Sequence, residues 1–330
     1  MTRSGSSVSR TGGSRVAKSA VPSRIPPCAI CGEPAVICQP AQKRHLCGTH
    51  LIQDLEARAA ATIREGDLIH PGDRIAVGLS GGKDSTALLV ILSRLLPGLP
   101  EVKIVAITVD EGIAGYRSDT IKSAEALTRR LGVEHRMVSF RDLIGSDLDT
   151  LLLGRGKQAC TICGILRKKA LMDAARDSGA TVIATGHNLD DEAQSVLMNA
   201  LRGDLPRLVR DAGAGRSAPF LPRIKPLAAI AEKEIAAYLF VQDLFPVLPE
   251  CPYTRYALRA DVRSLLAGLE SRYPGTTASL GESKKKIRGY CAGTPVMTPL
   301  NRCGECGDPC SGDLCQVCRL RHSLERGRDS

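Results

Sequence analysis

Arg74-Ile75-Ala76-Val77-Gly78-Leu79-Ser80-Gly81-Gly82-Lys83-Asp84-Ser85 runs from an apolar stretch into a glycine-rich turn, and Thr86-Ala87-Leu88-Leu89-Val90 then opens a helix. A strand that delivers the backbone into a tight glycine turn, followed at once by a helix, builds a cradle for phosphate. The helix presents free N–H groups and the positive end of its dipole to an anion. Lys83 adds a point charge, and Asp84 supplies an oxygen ligand suited to Mg2+. The stretch is not a Walker P-loop, which needs Ser or Thr directly after the lysine. Here Asp84 follows Lys83, and the interval from Gly78 to Gly82 is one residue short.

The chain has 330 residues, 43% hydrophobic and 24% charged, with a net charge of +10. That is room for one large domain with smaller appendages. No apolar run reaches the roughly 18 residues of a membrane span, and the start lacks a signal-peptide apolar core. An intracellular, cytoplasmic protein is expected. The Arg-rich excess of positive charge fits a polyanion, RNA first. With 3% aromatic residues and no Trp, recognition would rest on phosphates and shape rather than on base stacking.

Thirteen cysteines in an intracellular chain point to metal or catalytic sites rather than to a disulfide framework. Cys28-x-x-Cys31 and Cys47-x-x-His50 are two ligand pairs across a short loop, the spacing of a tetrahedral Zn2+ site. Cys303-x-x-Cys306 and Cys315-x-x-Cys318 repeat the arrangement as a zinc ribbon. Cys38 and Cys310 fall outside the pairs and are expected as free thiols. Cys291 has no assigned role.

Between residues 74 and 250 short apolar runs alternate with helical patterns. Strands are expected at Ile75–Leu79, Lys103–Val109, His135–Phe140 and Thr181–Thr185, and helices near 84–96, 117–131, 163–178, 190–201 and 232–243, with an earlier helix over 51–65. This predicts an α/β fold with a parallel sheet covered on both faces. Ligands then sit at the carboxyl ends of the strands. Ser80–Ser85, Val109-Asp110-Glu111, the loop before Cys160 and Gly186-His187-Asn188 would share that end. His187 reads equally as a structural hydrogen-bonding residue, and Asp190 as a helix cap. Farther on, Arg255, Arg259, Arg263 and Arg272, then Lys284-Lys285-Lys286-Ile287-Arg288, make a phosphate-binding stripe or a solvated helix face.

Cys160-Thr161-Ile162-Cys163 is read as a loop opening a helix. Arg167, Lys168, Lys169 and the helix dipole are expected to favour the thiolates. With Cys251 they make three thiols, one short of a closed structural site. Three suit a metal or cluster with an open position.

Ser80–Ser85 resembles the SGGKDS signature of the PP-loop ATP pyrophosphatases. Together with Cys160-x-x-Cys163, Gly186-His187-Asn188-Leu189-Asp190-Asp191-Glu192-Ala193, Glu250-Cys251-Pro252 and the terminal zinc pairs, it resembles the tRNA 2-thiouridine synthetases of the TtuA and cytosolic tRNA 2-thiolation protein 1 type. The similarity runs from Cys28 to Cys318. Leu201-Arg202-Gly203-Asp204 and Glu232-Lys233-Glu234-Ile235 look more like the wobble-uridine branch than the position-54 branch.

The resemblance implies a PP-loop ATP-binding catalytic domain over residues 56–250 between zinc modules. A disordered basic tail would occupy 1–27, a zinc finger 28–55, a helical tRNA-binding segment 251–298, a zinc ribbon 299–322 and a tail 323–330. It implies that uracil O2 attacks the α-phosphate of ATP and that sulfur then replaces the adenylated oxygen, giving 2-thiouridine at position 34. Ser80, Gly81, Gly82, Lys83, Asp84 and Ser85 would hold the phosphates and Mg2+, and Arg167 would steady the pyrophosphate. Gly78, Val109 and Gly186 would let the nucleotide approach the backbone, and Asp191 would move a proton or orient the base. Cys160, Cys163 and Cys251 would hold a [4Fe-4S] cluster; a persulfide resolved as a disulfide is the rival chemistry. Implied partners are tRNA and a ubiquitin-like thiocarboxylate carrier, with a homodimer left open. The alternatives are another PP-loop tRNA-modifying ligase, which needs none of these cysteines, and a non-catalytic zinc-ribbon RNA-binding protein.

Overall fold

A computed structural model of the chain describes residues 1, 25–153, 156–209, 220–246, 249–254, 258–290 and 300–326. The expectations for residues 2–24, Arg255, Cys291 and residues 327–330, and for the side chains of Lys285 and Arg288, lie outside the described residues.

β1 (Ile37–Gln39) and β2 (Arg44–Leu46) pair antiparallel, and α1 (Gly48–Glu65) follows. Leu51, Leu55, Ala59 and Ile63 recur every fourth residue and bury one face of α1. Next come β3 (Arg74–Gly78), α2 (Lys83–Leu95), β4 (Lys103–Asp110), α3 (Arg117–Leu131) and β5 (Glu134–Ser139). Two short helices, α4 (Phe140–Ile144) and α5 (Leu148–Leu151), lead to α6 (Ala159–Asp177), β6 (Val182–Ala184), α7 (Leu189–Leu201) and α8 (Leu205–Val209). β7 (Arg223–Ile224) and α9 (Glu232–Phe240) end the α/β part. α10 (Leu258–Arg272) and α11 (Thr276–Tyr290) follow, then the antiparallel pair β8 (Asn301–Arg302) and β9 (Pro309–Cys310), and α12 (Gln316–Arg326).

The main sheet has the order β5-β4-β3-β6-β7, with every neighbouring pair parallel. β3, β4 and β5 step outward in one direction, and β6 returns to the other flank of β3. The switch point therefore lies between β3 and β6, where open α/β sheets take ligands. The four expected strands are present; β7, at two residues, is too short to carry a readable alternation. The five expected helices correspond to α2, α3, α6, α7 and α9. α6 begins at Ala159, so Cys160 and Cys163 lie in its first turn rather than in a loop.

Alternate strand residues face opposite layers. Ile75 and Val77 pack with α1, α2, α3 and α9 in one cluster, and every residue of α2 from Ser85 to Leu92 is buried there. Ala76, Val105, Ile107 and Ile183 face Met172, Ala174 and Ala175 of α6. α12 lies on α6, and Asp308 of the C-terminal module accepts from Lys169 of α6 at 2.6 Å. No helix among the described residues is long and apolar enough to cross a membrane.

Candidate active site

Ser80 to Gly82 turn the chain from β3 into α2, whose N-cap is Gly82. Ser85 Oγ knots the turn: it accepts from the Ser80 N–H at 3.1 Å and donates to the Gly82 carbonyl at 2.9 Å. Gly81 has φ +85°, and a Cβ there would lie 2.1 Å from the Thr120 carbonyl oxygen. Only glycine fits. Across the switch point a Cβ on Gly186 would lie 2.8 Å from the Asp84 carbonyl carbon and 2.9 Å from the Ser85 nitrogen. Asn188 Nδ2 donates to Asp84 Oδ1 at 3.0 Å, a contact spanning 104 residues. The loop after β3 and the loop after β6 thus form one floor.

Lys83 Nζ lies 3.0 Å from Asp84 Oδ2 and 2.6 Å from Glu232 Oε1. Arg263 of α10 donates to that same Glu232 oxygen. Burial works against the Lys83 charge, but Glu232 and Asp84 outweigh it and keep the ammonium above its ordinary value. Asn188 and Asp191 form a capping box on α7, and Asp191 also accepts from Arg259 Nη1 at 3.1 Å. Asp190 accepts from the Glu232 N–H at 2.7 Å, so the cap of α7 is Asn188 and not Asp190. His187 Nδ1 lies 2.8 Å from Thr185 Oγ1, and burial, with Lys225 next, holds its imidazole below the usual range.

The three remaining thiols lie toward β4. Cys163 is buried, Cys251 half-buried and Cys160 exposed. Cys163 and Cys251 share an apolar cluster with Val109, Ile113 and Leu166, and Cys160 Sγ lies 3.7 Å from the Tyr253 carbonyl. Arg167 Nη2 donates to Cys163 Sγ at 3.0 Å while its Nε lies 2.7 Å from Glu111 Oε1. Glu111 Oε2 lies 2.7 Å from Arg117 Nε, and Arg117 donates to the Ser80 carbonyl at 3.1 Å and to the Val109 carbonyl. A chain of ion pairs and hydrogen bonds, its Glu111–Arg117 link an ion-pair contact without hydrogen-bond alignment, therefore joins the Cys163 thiol to the phosphate loop. Burial raises the thiols of Cys160 and Cys163, the latter to about 11 despite Arg167, so the expectation that nearby cations would favour thiolates is corrected. Desolvation outweighs the cation.

Four donor atoms close together at each end of the chain. Cys28, Cys31, Cys47 and His50 form one tetrad and Cys303, Cys306, Cys315 and Cys318 the other, with donors within 4.8 Å of one another. At Cys28 burial opposes ionisation, but backbone hydrogen bonds from Cys47, Cys31 and Ile30 prevail and bring it down to about 6. Hydrogen bonds from the Cys306 and Cys315 backbones bring Cys303 to about 6 as well. Neighbouring thiols go the other way, Cys31, Cys306 and Cys318 being raised, so it is the ligand types, spacing and fourfold closure that suit Zn2+. Cys310 is buried on β9 and donates to the Gly312 carbonyl at 2.9 Å, outside the tetrad, and Cys38 is exposed on β1.

The PP-loop domain family matches residues 52–263 of the chain. The tRNA 2-thiolation protein NcsA of Haloferax volcanii is 35% identical over 318 residues, covering 90% of this chain and 99% of that protein. The chain belongs to the PP-loop tRNA 2-thiolation family. Another member, the cytoplasmic tRNA 2-thiolation protein 1 of Bos taurus, is 38% identical over 312 residues, covering 92% of this chain and 89% of its own. The solved structure of the U34-tRNA thiolase NcsA from Methanococcus maripaludis with its [4Fe-4S] cluster superposes with a TM-score of 0.79 at 30% identity, over 90% of this chain and 96% of that one.

Within this family frame, Ser80–Ser85, Gly78, Val109 and Gly186 meet at the carboxyl end of the sheet as expected from the sequence. Arg167 is bonded to Glu111 and Cys163. Asp191 has the contacts of a helix cap and an ion pair. Arg259 and Arg263, expected as a phosphate stripe, are bonded to Asp191 and Glu232. Sequence reading missed Arg117, whose only signal is its place opening a helix after Glu111. It also missed Lys225, which follows β7 and shares buried Glu192 with Lys284 of α11.

Proposed function

We propose that the protein is an ATP-dependent tRNA-uridine 2-sulfurtransferase that acts on the wobble uridine at position 34. The observation that carries this reading is the polar chain from Cys163 through Arg167, Glu111 and Arg117 to Ser80. It ties a thiol site and an ATP loop into one centre, which a simple ligase does not need.

Ser80, Gly81, Gly82 and Ser85 present the loop to the β- and γ-phosphates, and Lys83 offsets their charge. Asp84 would hold Mg2+, which commonly takes one protein carboxylate beside substrate phosphates. Gly78, Val109 and Gly186 line the approach of the nucleotide. Attack of the uracil O2 on the α-phosphate expels pyrophosphate and turns a poor oxygen leaving group into AMP. Asp191, through Arg259, orients the base. Cys160, Cys163 and Cys251 would hold a [4Fe-4S] cluster: three sulfur donors, two of them in an apolar cluster and Cys160 exposed at its edge, without the tight fourfold closure of the zinc tetrads, fit a group that keeps one iron open. When bound, such a cluster supplies an iron that can carry sulfide. Arg167 holds Cys163 in place, and the apolar wall around it keeps water from the activated base.

The two tetrads would each hold Zn2+ and brace the centre, and tRNA would reach it past the helical segment 251–298. A ubiquitin-like thiocarboxylate carrier as sulfur donor, a homodimer and a cytoplasmic location belong to the same reading. Mass spectrometry of tRNA nucleosides from a deletion strain tests it: 2-thiouridine is expected to vanish from position 34, and unchanged 2-thiouridine at every position would sink it.

A further inference from the structure

Beyond Lys83, on the side away from the thiols, opens a cavity of about 1190 Å3 bounded by α1, α7, α9, α10 and α11. It exceeds the roughly 300–1,000 Å3 of a small-molecule site, and of the residues from Gly78 to Ser85 only Lys83 lines it. Its charged wall is mostly self-neutralised. Arg58 is bonded to Asp54 and Glu234, and Arg263 to Glu232. Among the described residues the exceptions are Arg223, whose Nε and Nη2 are buried without a hydrogen-bond partner, and the group made by Glu192, Lys225 and Lys284. Glu192 is 8% exposed, and Lys225 and Lys284 each donate once to it, the latter at 2.5 Å. Two ammonium ions on one carboxylate leave one net positive charge. Each ammonium has three N–H donors, and neither bonds any other acceptor among the described residues.

We propose that Lys225 and Lys284 form a phosphate subsite for the substrate RNA, seating a backbone phosphate beside the nucleotide presented to the ATP loop. The inference rests on the tRNA reading above. Lys225 projects from the carboxyl end of β7, at the same end of the sheet as Ser80–Ser85 and Gly186, and Lys83 lines the same cavity. A surplus cation in a recessed site attracts a phosphodiester more strongly than one on an open surface. The lysines have side chains 22% and 17% exposed: reachable by RNA yet fixed by Glu192. Of the residues read in sequence as a phosphate stripe or a solvated face, Arg259 and Arg263 of α10 are already paired, whereas Lys284 of α11 joins Lys225 in the cavity.

Filter binding of an unmodified tRNA transcript across a KCl series decides the matter, with calorimetry of MgATP alongside. Lys225→Gln and Lys284→Gln should each weaken tRNA binding roughly fivefold at low salt and reduce the slope of log Kd against log salt by about one. MgATP affinity should stay put. Glu192→Gln, which frees both lysines, should tighten tRNA binding and steepen the slope, and Lys225→Arg should restore it. If one glutamine variant fails to fold, the other and Glu192→Gln decide. Unchanged tRNA slopes in the lysine variants, or weaker tRNA binding in Glu192→Gln, would overturn the subsite. Lost MgATP affinity with intact tRNA binding would overturn it in favour of the ATP phosphates. Wild-type protein that binds no tRNA would overturn the tRNA reading and the subsite with it.

Discussion

Glu232 sets the state of Lys83. Its Oε1 takes the ammonium at 2.6 Å, so a triphosphate arriving at the loop must compete for a cation that is already held. A half-buried pair of this kind is worth about 1 kcal/mol, which is a factor of roughly five in affinity. Glu232→Gln should therefore bind MgATP about fivefold more tightly in calorimetry; weaker binding would mean that Glu232 aims Lys83 at the phosphates instead. The loop was legible in the sequence because its six residues are contiguous and each has a local job. Roles that depend on a distant partner were not. Asp191 meets Arg259 across 68 residues and Lys83 meets Glu232 from another helix, and no spacing rule carries such pairs. Cys163 shows a second limit. The cations beside it are visible in sequence, but the burial that overrules them is not.

At the scale of elements, α6 serves two neighbours. Its first turn carries Cys160 and Cys163, and farther along Lys169 and Arg176 reach Asp308, at 2.6 and 3.4 Å, in the C-terminal module. Two equivalents of zinc per chain are expected by metal analysis. Cys315→Ser should lose one equivalent and speed amide hydrogen exchange across residues 300–326 while β3 and β4 stay protected, because the tetrad is what folds so small a module. Retention of both zinc ions and unchanged exchange would contradict this. Both modules were readable from paired ligands at short spacing, and the long strands and helices from their periods. β7 was not, since two residues make no pattern, and Lys225 went unseen with it.

Across the whole molecule, Glu192 is where α7, the end of β7 and α11 meet. Burial alone would raise its carboxyl, but Lys225 and Lys284 outweigh burial and hold it below its ordinary value of 4.5. A depressed folded value contributes stability that is present above the unfolded value and lost as pH falls through the folded one. Urea unfolding midpoints of the wild type should therefore drop more steeply between about pH 5 and pH 3 than those of Glu192→Gln; parallel curves would show that the lysines do not stabilise the carboxylate. The parallel sheet and its ligand-bearing edge followed from the alternation of strands and helices. The cavity walled by α1 and α11 did not, because its walls come from helices far apart in the chain.

The floor shared by the loops after β3 and β6 also fixes when the protein becomes competent during synthesis. Asp84 leaves the ribosome long before Asn188, and closing the 104 residues between them costs chain entropy that local contacts around the loop do not repay. A nascent chain ending before β6 carries the complete glycine turn yet lacks the strand that braces it. Nucleotide binding should thus be acquired late, when β6 docks beside β3, and a growing chain is expected not to capture ATP before most of its α/β part has been made.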